Sequence, residues 1–555
     1  MSTPLEPIPN WTDEEKPSMP GSPSTPKHTP PVRVAYITIA FLLGITGGLG
    51  NALVSANLQN IQGSLGLTPV QAAWLPAAYV MVNISTSLIL LKFRQQFGLR
   101  LFAEIGLPLY AAATILHLIV DSYPTALLAR GMSGFAGATI STLAIFYTLQ
   151  AFPKARLAQG LVVGLGISQL ATPLAWLLSP ALLDLGDWRT LYMFESGLAL
   201  CCLAAVVSLK LPAGIRIKVF EGRDFLTFAL AAPALALVVA VLAQGRTQWW
   251  TEQPWIAGAL IVAIILLVAA AFVEHHRANP LIQTRWLGTA STIRFAIGAI
   301  GLRFLLSEQT YGATGLLRTL GMGAEQLQPL YAVMLAGLVV GIGTSALTFN
   351  QKTVVPQILA SVVLIAIGSF LDWNATSLTR PHDMFLSQFL LSVAGGLFMG
   401  PLLLVGVMSA LKNGPNYIVS FAVLFGVSQS IGGLAGPAIF GTFQQFRQHE
   451  YSAAINAGVD PTNPLVAQRL QIQGQVYGRV IPDPVLRQAQ GTALLAQAST
   501  REANVRAYND VFLLNGILAL LLLSWSLFNV IRLAIKAKSN PPAPAGPTTG
   551  AAASI

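Results

Sequence analysis

Charge is scarce in this chain. Asp, Glu, Lys and Arg make up 10% of 555 residues, against 54% hydrophobic residues, where soluble domains carry about 25% charge. That excludes an ordinary soluble protein and points to a polytopic membrane protein. Cysteine is scarcer: Cys201 and Cys202 are adjacent inside an apolar run, which excludes a structural disulfide and a cysteine metal site. No P-loop occurs, which argues against ATP hydrolysis. His275 and His276 follow Glu274, and neighbours in a helix diverge too far to share one metal. No metal or cofactor is therefore expected. The net charge of +10 is scattered between apolar runs without a basic stripe, which excludes nucleic acid as a partner.

What is present is a series of apolar runs near the twenty residues that cross a hydrocarbon core. Hydropathy places six at 34–57, 70–91, 100–120, 125–149, 157–179 and 190–210. Two follow at 225–243 and 254–273, and six more at 293–316, 327–347, 354–371, 384–411, 418–443 and 511–534. The fold expected is an all-α membrane protein with fourteen spans in two six-helix bundles, residues 34–210 and 291–535, joined by a linker, 211–290, carrying two extra helices. Residues 1–33 lack the apolar core of a signal peptide and are expected to be a disordered cytoplasmic leader, with 536–555 a disordered tail.

Orientation follows from Lys and Arg in short loops, which stay on the cytoplasmic side. Alternate connections hold Lys92, Arg94 and Arg100, then Lys154 and Arg156, then Lys210, Arg216, Lys218 and Arg223, while the opposite set is poorer. Both termini are thus expected to be cytoplasmic. The long connection 444–510 falls on the outer side and contains stretches with helical apolar spacing, at 464–472 and 484–497, so partial order is expected there. Partner docking and a tolerated insertion both fit such a loop.

Small residues recur at Gly160, Gly164, Ser168 and Thr172, followed by Pro173, and again at Gly432 and Gly436. Such stripes let helices approach closely. They fit two bundles that move against each other, and equally fit static packing. Ionisable residues inside the runs are costly and mark functional candidates. Arg130 and Glu195 lie in the first half, Arg303 and Glu308 in the second. Five residues separate the latter two, about 140° around a regular helix, so no direct pair is expected. In a dry cavity the neutral acid is favoured, and Glu308 would exchange a proton near neutral pH; a static ion pair with Arg130 or Arg303 is the alternative. Asn51, Asn83, Gln169, Tyr311 and Gln429 are candidates for lining a substrate cavity.

The run from Asn51 to Gly66, Arg130-Gly-Met-Ser-Gly134 in span four, Asp187-Trp-Arg189 before span six and the segment from Arg501 to Asp510 together resemble a known family. It is the fourteen-span drug:proton antiporter-2 branch of the major facilitator superfamily, and within it the EmrB-like inner-membrane pumps. The resemblance covers nearly all of 34–538. It implies a multi-pass bacterial inner-membrane exporter that exchanges protons for drugs or amphipathic and aromatic molecules. Membrane lipid, the substrate and protons would be its partners, with a periplasmic adaptor (HlyD/EmrA-like) and an outer-membrane channel. Three positions depart from the pattern. The first-span acid is replaced within Leu49-Gly50-Asn51, the cytoplasmic signature reads Arg94-Gln-Gln-Phe-Gly98, and the antiporter motif reads Thr172-Pro173-Leu-Ala-Trp176. Uptake or facilitated passage of one solute is the competing reading; no catalytic cluster supports an enzyme.

Overall fold

In lipid, every backbone N–H and C=O must be satisfied within the protein, and for apolar runs of this length helix is the direct solution. The computed structural model describes residues 5, 10–12, 15–17, 19–277, 279–414, 417–460 and 462–539. The expected tail beyond residue 539 lies outside the described residues. The first half holds α1 (Pro30–Ala56), α2 (Leu58–Ser64), α3 (Pro69–Leu116), α4 (Tyr123–Ala151), α5 (Leu157–Gln169), α6 (Ala171–Asp184) and α7 (Arg189–Ser208). The middle pair is α8 (Gly222–Gln244) and α9 (Pro254–His275), followed by the short α10 (Thr284–Leu287). The second half holds α11 (Ala290–Leu305), α12 (Thr314–Thr319), α13 (Ala324–Leu347), α14 (Val354–Asp372), α15 (Phe385–Leu411), α16 (Tyr417–Ala457), α17 (Pro464–Gln475) and α18 (Pro484–Ser539).

Thirteen helical stretches among the described residues are long and apolar enough to cross a membrane. One of them, Pro69–Ile119, has 51 residues, about 75 Å of helix against a hydrocarbon core of about 30 Å. It breaks at Gly98, whose φ of +85° is open to glycine and strained for other residues. The stretch therefore contains both expected spans, 70–91 and 100–120. Within the first half α3 and α1 pack on α4; within the second, α15 packs on α13 and α14, and α16 on α11 and α18. Helix α8 sits against α3 and α16 through Ile84, Leu88, Leu235 and Val239. Helix α9 leaves Ile261, Ile265, Val268 and Phe272 exposed, an apolar surface suited to lipid.

The end of the bundle that carries the N-terminal segment is more ordered than its composition predicts. The expectation of disorder in the leader fails for residues 21–28. The Gly21 and Ser24 amides donate to Ile215 and Ala213 carbonyls at 3.0 Å, and Gln150 Nε2 donates to the Ser24 carbonyl at 2.9 Å. The linker is held in turn by the departed signature: Ile217 N–H donates to the Gln95 carbonyl at 3.0 Å, and Gln96 Oε1 accepts from Val219 and Phe220 at 3.1 and 2.9 Å. Some of the charges between the apolar runs are also buried and paired. Asp224 meets Lys92 and Arg277 at 2.8 Å each, and Arg277 reaches Glu274 at 2.6 Å and Glu221 at 3.0 Å. This network ties α3 to the extra helix pair.

The long connection is helical where helical spacing was expected. Helix α16 runs 41 residues and α18 runs 56, about 60 and 84 Å, so both continue well past bilayer thickness. Between them α17 turns back along α18. The α16–α18 stalk is pinned by Arg447–Asp510 at 2.6 Å, Gln444–Asn504 at 2.8 Å and Ser499–Asn456 at 2.8 Å.

Candidate functional site

Pro173 removes one backbone donor, and its ring crowds the carbonyl four residues earlier. The helix accordingly divides at Leu170, between α5 and α6. In the facing half, α11 ends at Leu305 and gives way to a π turn over Glu308–Ala313 before α12. Such wider turns inside α-helices are frequent at functional sites. Between these two interruptions, midway along the bundle, lies a cavity of about 360 Å³. Ser168, Gln169, Thr172 and Pro173 line it from the first half; Arg303, Ser307, Gln309, Ser392 and Gln429 line it from the second. Its end nearest the long connection is closed by packing of Leu53 and Trp176 against Leu317, Tyr331 and Phe512. Trp176 and Tyr331 stack there at 4.7 Å.

Arg303 faces this cavity and has no hydrogen-bond or ion-pair partner among the described residues. Space for it comes from α16: a Cβ on Gly432 would lie 2.9 Å from Arg303 Cβ, and one on Gly433 3.3 Å from its Nε. Gln169 Nε2 and both polar atoms of Gln429 are likewise buried without partners. Glu308 points the other way. Gln388 Nε2 donates to Glu308 Oε1 at 3.3 Å and to Asp372 Oδ2 at 2.8 Å, so one amide spans two buried carboxylates. Gln388 Oε1 has no partner, which leaves an acceptor free for a carboxylic O–H. Gln309 joins the two features: its side chain lines the cavity and donates to the Gln388 carbonyl at 3.0 Å and Ser392 Oγ at 2.9 Å.

Arg130 is 1% exposed and fully engaged. It donates to the Leu75 carbonyl at 3.2 Å, the Gly50 carbonyl at 2.7 Å and Asn51 Oδ1 at 2.7 Å, and lies 4.8 Å from the Tyr79 ring centre. Glu195, equally buried, accepts from Tyr110 at 2.6 Å while its second oxygen has no partner. The static pairing of Glu308 with Arg130 or Arg303 is thus not found. Of the expected cavity residues, Gln169 and Gln429 line it. Asn51 is occupied by Arg130, and Asn83 donates to the Gly134 carbonyl at 3.0 Å. Tyr311, carried round by the π turn, donates to Gln444 at 3.2 Å outside the cavity.

The small-residue rows need a similar correction. Gly160 and Gly164 approach Phe152 and Thr148 within the first half, and Gly432 and Gly436 approach Arg303 and Ser307 within the second. Ser168, Thr172 and Pro173 face the cavity instead. Contact between the halves runs through Gly166 against Ile342 and Gly400 against Val162. Asp372 and Gln388 also escaped sequence reasoning. An acid one residue beyond the apolar run 354–371 was the available signal for the first; the second had none.

The Major Facilitator Superfamily model matches residues 40–437, most of the chain. The chain belongs to the major facilitator superfamily. The multidrug export protein EmrB of Haemophilus influenzae is 21% identical over 520 residues, 90% of this chain and 97% of that protein. The puromycin resistance protein pur8 of Streptomyces alboniger is 23% identical over 407 residues, 71% of this chain and 78% of that protein. Among solved structures, a bacterial homologue of the human drug peptide transporters PepT1 and PepT2 aligns with a TM-score of 0.56 at 12% identity, over 91% of this chain and 99% of that one. This facilitator-superfamily chain is therefore a multi-pass membrane transporter and not an enzyme.

Proposed function

We propose that the chain exports small organic molecules, of the drug or aromatic kind, across the bacterial inner membrane in exchange for protons. The observation that carries this reading is the Glu308–Gln388–Asp372 bridge beside the cavity. Two ionised carboxylates bonded to one amide nitrogen at 3.3 and 2.8 Å lie no more than about 6 Å apart and repel by about 3 kcal/mol or more at an effective dielectric of roughly 20. One proton held by the pair removes that repulsion and gives the free Gln388 Oε1 a donor. Loading and release of the proton would move α15 and, through Gln309, the cavity wall. Cavity and carboxylates then bias the same two-state equilibrium between bundles, which is what exchange requires. The relatives named for drug export and resistance support the substrate class.

Fourteen spans with both termini cytoplasmic put the α16–α17–α18 stalk outside the inner membrane. Leu465, Val476, Val480 and Val485 are each more than 70% exposed on it, and an adaptor protein leading to an outer-membrane channel would cover that apolar surface. Deleting 460–498 removes α17 and the start of α18 but keeps Arg447–Asp510. The shortened protein is expected to fold and to lose crosslinking to the adaptor; retained crosslinking refutes the assignment. For exchange itself, reconstituted protein with an imposed pH gradient should accumulate substrate only while the gradient lasts. Accumulation unaffected by collapsing it would leave facilitated passage.

A further inference from the structure

We infer that the central cavity is built for an organic anion, held by Arg303. The inference rests on the transport reading and names its substrate class. Among the side chains lining the cavity, Arg303 is the one charged at neutral pH. Unlike Arg130, it has no hydrogen-bond or ion-pair partner among the described residues, although a guanidinium surrounded by protein and lipid ordinarily takes carbonyls or a carboxylate. The carboxylates that could have answered it are committed elsewhere. Glu308 lies five residues along and Asp372 one helix away, yet both turn to Gln388. A cationic substrate would enter against an uncompensated positive charge.

The rest of the wall agrees. Gln169 Nε2 and both polar atoms of Gln429 are buried and unpaired, and each Nε2 offers N–H donors to the second oxygen of a carboxylate or sulfonate. Leu306, Met334, Leu338 and Met399 supply an apolar surface for an aromatic ring. A volume of about 360 Å³ lies within the range of small-ligand pockets. Glycines at 432 and 433 keep open the ground over which the guanidinium reaches. The charge balance of transport follows. One proton in for one anion out carries two positive charges inward, whereas one proton for one monovalent cation carries none. Export by this protein is therefore accelerated by an inside-negative potential as well as by acid outside.

The test holds one ring system fixed and changes its charge. Binding of 2-naphthalenesulfonate, 2-naphthalenesulfonamide and 2-naphthyltrimethylammonium to the purified full chain is measured by calorimetry for wild type, Arg303→Gln and Arg303→Lys. The sulfonate stays ionised and does not ferry protons through lipid. It is expected to bind wild type at least about tenfold more tightly than the neutral or cationic probe, to lose about tenfold in Arg303→Gln and to keep most of its affinity in Arg303→Lys. Equal binding of the three probes, or sulfonate binding unchanged in Arg303→Gln, overturns the inference. Should Arg303→Gln not fold, wild type in proteoliposomes decides: sulfonate-driven proton entry must quicken under an inside-negative potassium diffusion potential, and indifference to potential refutes anion exchange. Proton exchange driven by the cation alone would sink the anion cavity and spare the export reading. Sulfonate binding with no proton movement would do the reverse.

Discussion

Arg130 in the first half and Arg303 in the second both sit among apolar helices, and their surroundings differ in kind. Arg130 is closed in by two carbonyls, the Asn51 amide and the Tyr79 ring. Arg303 faces open space lined by unpaired amides. The acids mirror this contrast: Glu195 is anchored by one phenol, while Glu308 shares an amide with a second carboxylate. The arginines thus serve a finished structural knot in one half and an open, loadable site in the other, while each half keeps an acid with an unmet or shared partner. A buried charge reads as function only when its partners are missing or shared.

The largest expected effect breaks the second half. Glu308→Gln, and separately Asp372→Asn, each leave one carboxylate where the proposed exchange needs two to share a proton, so proton-coupled transport should fall to the background of empty liposomes while expression and thermal unfolding stay near wild type. The double variant should be no worse, since the two act as one unit. Proton flux read from a trapped pH indicator decides. Normal coupling in either single variant would remove the pair from the mechanism.

The next effect breaks the first half. Arg130→Leu leaves the part-buried Asn51 Oδ1 without its donor and strips a second bond from the Leu75 and Gly50 carbonyls, which keep their own helix ladders; a polar group left without its partner costs about 1–3 kcal/mol. Thermal unfolding of the purified protein should show a loss of about 1–3 kcal/mol, with reduced yield. Arg303→Leu, which strands nothing, should lose little. Equal destabilisation by the two variants would erase the contrast drawn above.

How much of this could be read beforehand depended on what each residue obeys. Apolar runs follow hydropathy, and each expected run falls within a helical stretch, including both halves of the 51-residue stretch through Gly98, although α16 and α18 run well beyond theirs. Arg130, Arg303 and Glu308 stood out because charge is expensive in lipid. Asp372 did not, because it closes α14 one residue past the apolar run and looks like an ordinary helix end. Tyr311 was expected in the cavity wall, yet it lies on the π turn and donates to Gln444 instead. Which small-residue row faces the other bundle was also hidden: Gly166, one turn from neither end of the visible stripe, meets Ile342, while Gly160 and Gly164 pack inside their own half. Spacing reveals that a row exists and leaves its partner to tertiary contacts.

The smallest effect sharpens the comparison at Asn51, where the resembling family carries an acid near Arg130. A neutral amide oxygen there accepts from Arg130 Nη2 at 2.7 Å. Asn51→Asp would put a carboxylate on the same atom position, and a charge-assisted bond is roughly twice as strong as a neutral one. Arg130 would then hold a compensating charge, so thermal stability should rise by about 1 kcal/mol. The knot is already complete without that charge, however, so the variant should not restore coupling to Glu308→Gln. Recovery of proton flux in the Asn51→Asp/Glu308→Gln double variant would show instead that the first half still holds a usable proton site, with Arg130 a latent counterpart of Arg303.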